Sequence, residues 1–436
     1  MIRFLSIIFI LSLFSETEGK LFNSKMFTLS NGMKVVLVEN HRAPIVASMI
    51  WYNVGSIDET YGKSGLAHFL EHLMFKGTKK FRKGEFSDFI SKNGGSENAF
   101  TSFDYTAYYQ TISSDKIEKI LEMEADRMKN LILSREQIQT EKKVILEERN
   151  QRIDSSPSST LDESMRKSLF PNHTYGTPII GWRHEIENLD YEDVFSFYKK
   201  YYDPSNAILI LSGDLKLKKA KTLSEKYFGK IISDDIIRKG DYLSDPPMKT
   251  QISINHKHPN VKQKIWKRLY KTTSMTESLK KGLALDIGIQ IIAGGKTSVL
   301  YQELVNKQKL FAAVGGYYQG ITKGPGIIYF YAIPNRDLTS DQIEKKINKV
   351  LRTEIERGIS ADDFKRKKNE YYYDFVYQQD GIGQPAQIIG EALSVGISLE
   401  NIENWDKLIE ELTVKEINDA LKVFLKNSNY VTGILH

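Results

Sequence analysis

A short segment predicted to form a helix that is apolar on nearly every side constrains this chain most. It follows Gly65 and ends at Gly77, a residue type common just past helix ends. Its apolar residues are Leu66, Ala67, Phe69, Leu70, Leu73, Met74 and Phe75. A helix of this kind must be buried. It also carries His68, Glu71 and His72, and buried polar side chains cost free energy unless they have partners or bind a metal.

The spacing of these polar residues is compatible with a metal site. His68 and His72 are four residues apart, so a helix places both imidazoles on one face with Glu71 beside them. The order His-x-x-Glu-His is the inverted form of a zinc-protease motif. Two satisfied core histidines and a solvated glutamate would explain the same residues, so the motif alone does not decide.

A catalytic zinc site typically has three protein ligands and leaves a fourth position for water. The chain has no cysteine, so carboxylates on another buried helix are the candidates for the third ligand. Glu141 and Glu148 are seven residues apart and share one face of a predicted helix that also contains the apolar run Val144-Ile145-Leu146. A charged helix face in solvent is the alternative interpretation.

The chain alternates strand-like and helix-like patterns twice. In the first stretch we predict helices at 116–131 and 135–152, a buried closing strand at 207–211, and three paired antiparallel strands with an Asn31-Gly32 hairpin, at 26–29, 33–38 and 45–51. The second stretch repeats the order, with a strand near Ile252, helices at 277–292 and 298–308, and a strand at 327–333.

This repetition predicts an α+β fold built from two homologous domains, each a mostly antiparallel sheet with helices packed on it. Turn-forming Asp, Gly and Pro residues cluster between the two stretches. We therefore predict an N-terminal metal-binding domain at 20–235, a linker at 236–250 and a C-terminal domain at 251–436.

The first 19 residues have the layout of a secretory signal peptide. Arg3 precedes an uncharged run of eleven residues from Phe4 to Phe14, and the chain then becomes polar. A bilayer span needs about 20 apolar residues, so we predict no stable membrane span. The expected location is the periplasm, with residues 1–19 removed; a retained anchor or a buried strand is the alternative.

The charge balance makes nucleic acid an unexpected partner. The chain has 61 Lys and Arg against 55 Asp and Glu, a net charge of +6 over 436 residues, and it contains no basic tract. Binding to a phosphate backbone needs clustered cations. A hydrophobic fraction of 41% also excludes a disordered chain.

Several blocks of residues carry a resemblance to a known family. They lie at 55–59, 65–72, 75–78, 98–101, 175–181 and 202–206, and Glu148 follows His72 by 76 residues. Together they resemble the pitrilysin family of inverted-motif zinc metallopeptidases, which includes mitochondrial processing peptidase and insulin-degrading enzyme. The resemblance covers nearly the whole chain after residue 19, and this family places its third ligand at the distance of Glu148.

The resemblance implies a metalloendopeptidase with one Zn²⁺ per chain. His68, His72 and Glu148 would bind the metal, Glu71 would act as general base, and Glu141 would hold a histidine in place. Unfolded peptides would bind as an added strand along the segment that matches the family's substrate-binding edge, Asn98, Ala99, Phe100 and Thr101. A glycine-rich hairpin without a ligand is the alternative for that segment.

The second half departs from the family pattern. Many members carry an Arg and, seven residues later, a Tyr that contact substrate across the chamber, whereas this chain has Val305 and Ala312 there. We expect a second chain of the same family to supply the pair in a heterodimer, with a homodimer as second choice. A maturation or assembly subunit of a heteromeric peptidase complex, with little activity alone, is the alternative function.

Overall fold

The computed structural model describes residues 20–233 and 242–436. The predicted signal peptide at 1–19 and residues 236–241 of the predicted linker lie outside the described residues. Two mixed sheets are present, one of six strands and one of five, and helices pack on both. The predicted α+β fold class is confirmed.

The first half of the chain forms the six-stranded sheet. Its strands are β1 (Lys25–Thr28), β2 (Lys34–Glu39), β3 (Ile45–Tyr52), β4 (Ser96–Thr101), β5 (Thr106–Ser113) and β6 (Ala207–Gly213). The order across the sheet is β1-β2-β6-β3-β5-β4, and all neighbours are antiparallel except β2 and β6. The hairpin predicted at Asn31-Gly32 joins β1 to β2, and Gly32 adopts the positive φ of 86° that favours glycine.

The predicted antiparallel pairing among the first three strands is wrong for β2 and β3. The strand β6 lies between them, parallel to β2 and antiparallel to β3. Every residue of β6 is buried, which suits a continuous apolar run to the centre of a sheet covered on both faces. The short connection between β2 and β3 suggests a hairpin. The apolar β6 is stabilised by burial at the centre of the sheet, however, and this determines the order of the strands.

The second sheet repeats this topology. Its strands are β7 (Ile252–His256), β8 (Ile265–Thr272), β9 (Phe311–Gln319), β10 (Gly326–Pro334) and β11 (Tyr430–Leu435). They are ordered β7-β11-β8-β10-β9, with β7 and β11 as the parallel pair. This arrangement matches β2-β6-β3-β5-β4 strand for strand, so β9 is the counterpart of the edge strand β4. The predicted duplication of one α+β unit is confirmed.

Sixteen α-helices occur in the part of the chain that the structure describes. They are α1 (Leu66–Leu73), α2 (Glu85–Lys92), α3 (Ile117–Asn130), α4 (Arg135–Arg149), α5 (Pro157–Leu169), α6 (Arg183–Asn188), α7 (Tyr191–Tyr201), α8 (Leu217–Tyr227), α9 (Leu279–Ala293), α10 (Val299–Tyr301), α11 (Ser340–Arg357), α12 (Ala361–Asp380), α13 (Gln384–Val395), α14 (Leu399–Glu403), α15 (Trp405–Glu410) and α16 (Val414–Leu425).

The predicted helices at 116–131, 135–152 and 277–292 correspond to α3, α4 and α9. A π-helical turn, Asn150–Asp154, follows α4, and another, Gln302–Lys307, follows the short α10. Across residues 20–233 and 242–436, none of the helices is both long and apolar enough to cross a membrane.

Each half of the chain contributes a helix to the other half's sheet. The helix α5 packs on β11, and α13 packs on β3 and β6. Glycines allow both approaches: a Cβ at Gly433 would lie 2.2 Å from Met165 Sδ, and one at Gly390 would lie 2.0 Å from Trp51 Cε2. The two sheets are therefore locked to each other through shared core residues.

We propose that the chain divides as the sequence predicts, into units at 20–235 and 251–436 joined by a linker at 236–250. Each unit then contains one complete sheet, and residues 242–250 contain no helix or strand. We expect limited proteolysis to cut the chain first within the proposed linker at 236–250.

A partly buried carboxylic acid joins two helices of the second half. Asp286 on α9 accepts a hydrogen bond of 2.7 Å from the hydroxyl of Tyr371 on α12. The pairing of α9 with α12 has the same place in the second unit as the pairing of α1 with α4 in the first. Burial raises the pKa of Asp286 from 3.8 to about 6, although Tyr371 and Lys367 oppose the shift.

We expect the change in unfolding free energy caused by Asp286→Asn, relative to the wild type, to be more favourable at pH 7 than at pH 4. Between about pH 4 and 6 the folded state keeps the proton that the unfolded state has lost, so wild-type stability falls as the pH rises through this window. The difference in pKa corresponds to at most about 3 kcal/mol. Urea unfolding of both proteins at pH 4, 5 and 7 measures it, with the exposed Asp419→Asn as control. An equal effect of the substitution at every pH would contradict the prediction.

Candidate metal centre

The helix α1 is buried as predicted, and its start is fixed by a carboxylate. Gly65 precedes it with a φ of 85°, and Glu59 accepts hydrogen bonds from the backbone N–H groups of Gly65 and Ala67 at 3.1 and 2.9 Å. A carboxylate there satisfies donors that a helix leaves free. His68 is only 8% exposed. The helix therefore presents its two imidazoles from a rigid, apolar base.

Three candidate metal ligands come together where α1 meets α4. Glu148 Oε2 lies 3.3 Å from His72 Nε2 and 3.6 Å from His68 Nε2. One ligand atom from each of the three residues lies within 4.8 Å of the others. Tetrahedral coordination with bonds of about 2.0 to 2.1 Å separates ligand atoms by about 3.4 Å. Within the described residues, no other group of three such side chains is close enough.

The local chemistry also fits a cation. Glu148 Oε2 is buried between the imidazoles and has no hydrogen-bond partner among the described residues. Burial, with His72 nearby, lowers the pKa of His68 to about 4. Burial also opposes protonation of His72, but the hydrogen bond with Glu141 and the nearby negative charge of Glu148 raise its pKa to about 9. Such a concentration of carboxylates around two imidazoles favours a positive ion.

Glu141 lies behind His72. Its Oε1 is 2.9 Å from His72 Nδ1, and Lys76 pairs with its other oxygen. Burial alone would raise the pKa of Glu141, but the hydrogen bonds from His72 and Lys76 lower it. In the neutral form of His72, an Nδ1–H that donates to Glu141 leaves Nε2 with its lone pair facing Glu148.

We expect Glu141→Gln to weaken zinc binding by about 10- to 100-fold, because a partner of this kind orients the imidazole and raises its basicity. Competition with a chromophoric chelator measures the affinity. Glu136→Gln, on the same helix and exposed, serves as the control. Unchanged affinity in Glu141→Gln would show that His72 needs no such support.

Glu71 lies next to the imidazole pair but outside the ligand group. Its Oε2 accepts a hydrogen bond of 2.5 Å from the hydroxyl of Thr101, the last residue of β4. Burial raises the pKa of Glu71. The sequence suggested only a substrate-binding role for Thr101, whereas its side chain also fixes this carboxylate.

A large chamber opens in front of these residues. Its volume is about 1400 Å³, more than a typical small-molecule pocket, and it is lined by the imidazole pair, Glu71, Glu148, all of 98–101 and Gln319 from β9. Among the strands that the structure describes, the edge strand β4 pairs only with β5, so none of them lies beside its other backbone edge. The chamber is large enough for an extended stretch of peptide.

Two cations near the ligands were not singled out from the sequence. Arg152 Nη1 lies 2.8 Å from Glu148 Oε1, and Lys76 pairs with Glu141. Arg152 follows Glu148 by four residues and Lys76 follows His72 by four, so helical spacing was the available signal. Arg152 holds the oxygen of Glu148 that points away from the histidines.

Among residues 242–436, which the structure describes, there is no comparable set of candidate ligands. The helix α9, the counterpart of α1, contains no histidine. Val305 lies in the π-helical turn after α10, and Ala312 lies in β9. Neither residue offers a hydrogen-bonding side chain to a substrate.

Comparison with known proteins also distinguishes the half that contains the candidate ligands from the half that lacks them. Residues 34–182 match the model described as Insulinase (Peptidase family M16), and residues 188–371 match the Peptidase M16 inactive domain. The chain belongs to peptidase family M16. The first match, at 34–182, includes all three candidate ligands. The second match, at 188–371, covers most of the second unit, which lacks such a set of ligands.

Individual members of family M16 resemble the chain over nearly its whole length. A Helicobacter pylori protein named zinc protease PqqE is 29% identical over 412 residues, which are 94% of this chain and 91% of that protein. A crystal structure of a protease from Helicobacter pylori has a TM-score of 0.88 at 28% identity, covering 95% of this chain and 99% of that one.

The Escherichia coli periplasmic protease PqqL shares the fold, with a TM-score of 0.79 at 16% identity. The match covers 95% of this chain but only 47% of PqqL. One chain of the present length therefore corresponds to about half of that larger structure.

Proposed function

We propose that this member of family M16 is a zinc-dependent endopeptidase that hydrolyses unfolded peptides. The observation that carries the proposal is the convergence of His68, His72 and Glu148, with Glu71 beside them, at the wall of a peptide-sized chamber. The relative named zinc protease PqqE adds support from comparison.

His68 and His72 would bind the zinc through Nε2, and Glu148 would bind it through Oε2. A zinc ion held there would polarise the scissile carbonyl and lower the pKa of water to about 7. Glu141 would keep His72 in the required tautomer, and Arg152 would keep Glu148 turned toward the histidines.

Glu71 would accept a proton from water and later deliver it to the leaving amine. Its position next to the ligands, without being one of them, suits this role. The hydroxyl of Thr101 fixes one carboxylate oxygen, and burial raises the pKa of Glu71 toward the range of an efficient proton carrier.

The peptide would bind as an added strand along β4, through the backbone of Asn98, Ala99, Phe100 and Thr101. These four residues of β4 line the chamber, and backbone pairing requires an extended substrate. Because Thr101 touches Glu71, the same strand would align the scissile bond with the general base.

The test uses a quenched-fluorescence peptide and the purified chain, both alone and together with any chains that co-purify with it. We expect one zinc per chain, hydrolysis of the flexible peptide, no cleavage of a stably folded protein, loss of activity with a chelator and recovery with added zinc. Zinc binding without hydrolysis of any peptide, both alone and with co-purifying chains, would contradict the proposal.

We further propose that the active form contains two chains of this fold. The partner would carry the Arg and Tyr that are missing at Val305 and Ala312, and a homodimer remains second choice. PqqL shares the fold and is about twice as long as this chain, which supports a chamber completed by two further α+β units from a second chain. Full peptidase activity in a fraction shown by light scattering to be monomeric would contradict this proposal. A maturation or assembly subunit of a heteromeric peptidase complex would instead bind its partner chains and show little activity alone.

For the location of the protein we propose the periplasm. The basis is the signal-like sequence at 1–19, together with the shared fold of the periplasmic protease PqqL. Cell fractionation with N-terminal sequencing of the mature chain tests this; a cytoplasmic chain with residues 1–19 intact would contradict it.

A further inference from the structure

One cation in the chamber wall is not used by the proposed chemistry. Arg166 on α5 lines the same chamber as His68 and Glu71. Its side chain is partly buried, and its guanidinium carbon lies 4.6 Å from the centre of the Phe103 ring. The ring restricts where this charge can point.

The neighbouring carboxylates of the wall already have partners. Glu163 forms two hydrogen bonds with Arg149, at 2.8 and 3.0 Å. Asp162 accepts one of 2.6 Å from Lys267. Within the described ranges, no carboxylate oxygen forms an ion pair or hydrogen bond with Arg166.

This arrangement leaves the charge of Arg166 poorly compensated. Burial lowers the pKa of Arg166, while Tyr317, Tyr175 and Asp162 oppose the shift. A contact with an aromatic face recovers about 0.5 to 2 kcal/mol, less than a charge-assisted hydrogen bond at its best. A planar guanidinium matches a carboxylate group in geometry and binds it through two parallel hydrogen bonds.

We propose that Arg166 is a specificity-determining residue that binds a carboxylate of the peptide in the chamber. The carboxylate belongs either to an acidic side chain or to the C-terminus of the peptide. The inference rests on the proposed peptidase function and extends it to a preference among substrates. Arg166 touches the substrate away from the scissile bond and takes no part in the proton transfers.

The experiment compares matched peptides that differ by one carboxylate. In the first set, a single Glu is moved through each position of a quenched peptide, and each peptide has a Gln counterpart. In the second set, the same neutral sequence carries a free or an amidated C-terminus. The ratio of kcat/KM within each pair is measured for the wild type, R166Q and R166K. The control K167Q removes one charge from the same helix at a side chain that donates to Pro171 O and does not line the chamber.

We expect the wild type to prefer the acidic member of at least one pair by about 10-fold, the effect of about 1.4 kcal/mol. R166Q should abolish that preference while the neutral peptide keeps its rate, and R166K should retain part of it because the charge remains. K167Q should keep the wild-type ratio. The set that shows the preference identifies the source of the carboxylate.

An unchanged ratio in R166Q, or an equal loss on acidic and neutral peptides, would overturn the inference and leave Arg166 a packing residue for Phe103. A wild type without any preference would overturn it as well. Fluorescence anisotropy of the same peptides with Glu71→Gln measures binding without hydrolysis. If the wild type cleaves no peptide, the proposed function fails. The inference is still supported if the acidic peptides bind preferentially and this preference is lost in R166Q.

Discussion

Replacing Glu71 with glutamine is expected to lower kcat by about 1,000-fold while one zinc per chain is retained. Proton transfer by a positioned side chain contributes roughly 100- to 10,000-fold to a rate, and glutamine cannot carry a proton. Glutamine still fits the space and can accept the hydrogen bond from Thr101, so the architecture should remain intact. The measurement combines quenched-peptide kinetics with metal analysis of the same preparation.

The matched control is Glu147→Gln. Glu147 lines the same chamber and is exposed, and it lies outside the ligand group. Its substitution removes the same charge without reaching the reacting atoms, so kcat should change by less than about threefold, the effect of a weak surface charge. If Glu71→Gln loses zinc together with activity, Glu71 is a ligand and the assignment of roles is wrong. If it keeps full activity, another group is the base.

Replacing Glu148 with glutamine is expected to reduce zinc affinity more than Glu141→Gln does, that is, beyond the roughly 10- to 100-fold cost of losing an outer partner. In the proposed site Glu148 would supply the anionic ligand atom, and its Oε2 lies 3.3 Å from His72 Nε2 and 3.6 Å from His68 Nε2. A neutral amide removes that charge and presents a weaker donor. Peptidase activity at limiting zinc should fall in parallel and recover in part at high zinc.

Chelator competition on the three proteins provides the test. Zinc affinity should be highest in the wild type, lower in Glu141→Gln and lowest in Glu148→Gln. Thermal unfolding with and without zinc supplies a second readout, since a ligand that binds only the folded state raises the melting temperature. A Glu148→Gln protein that binds zinc as tightly as the wild type would remove Glu148 from the metal site.

The sequence predicts local features of the site well. A helix apolar on nearly all sides with two histidines one turn apart follows from side-chain spacing alone, and α1 has these properties. The duplicated order of elements was likewise visible in the alternation of patterns. In contrast, the insertion of β6 between β2 and β3 was missed, because strand order depends on burial by distant helices.

Contacts between remote segments were also beyond the sequence. The resemblance to a family suggested Glu148, but the hydrogen bond between Thr101 and Glu71 joins residues 30 positions apart through a strand and a helix. Arg166 belongs to a helix whose sequence reads as an ordinary amphipathic segment. Its place in the chamber becomes evident only when α5 is packed against β11 of the other half.

By itself the sequence determined the chemical types and the local geometry: two imidazoles and a carboxylic acid on one turn, glutamates as candidates for the third ligand in a chain without cysteine, and two similar α+β units. The tertiary structure alone decided which atoms meet. His72 Nε2 faces Glu148 because Glu141 occupies its other nitrogen, and the chamber wall combines residues of the first half with Gln319 of the second. Periodicity reports only neighbours along the chain, whereas these contacts arise from the burial of apolar faces that lie far apart in sequence.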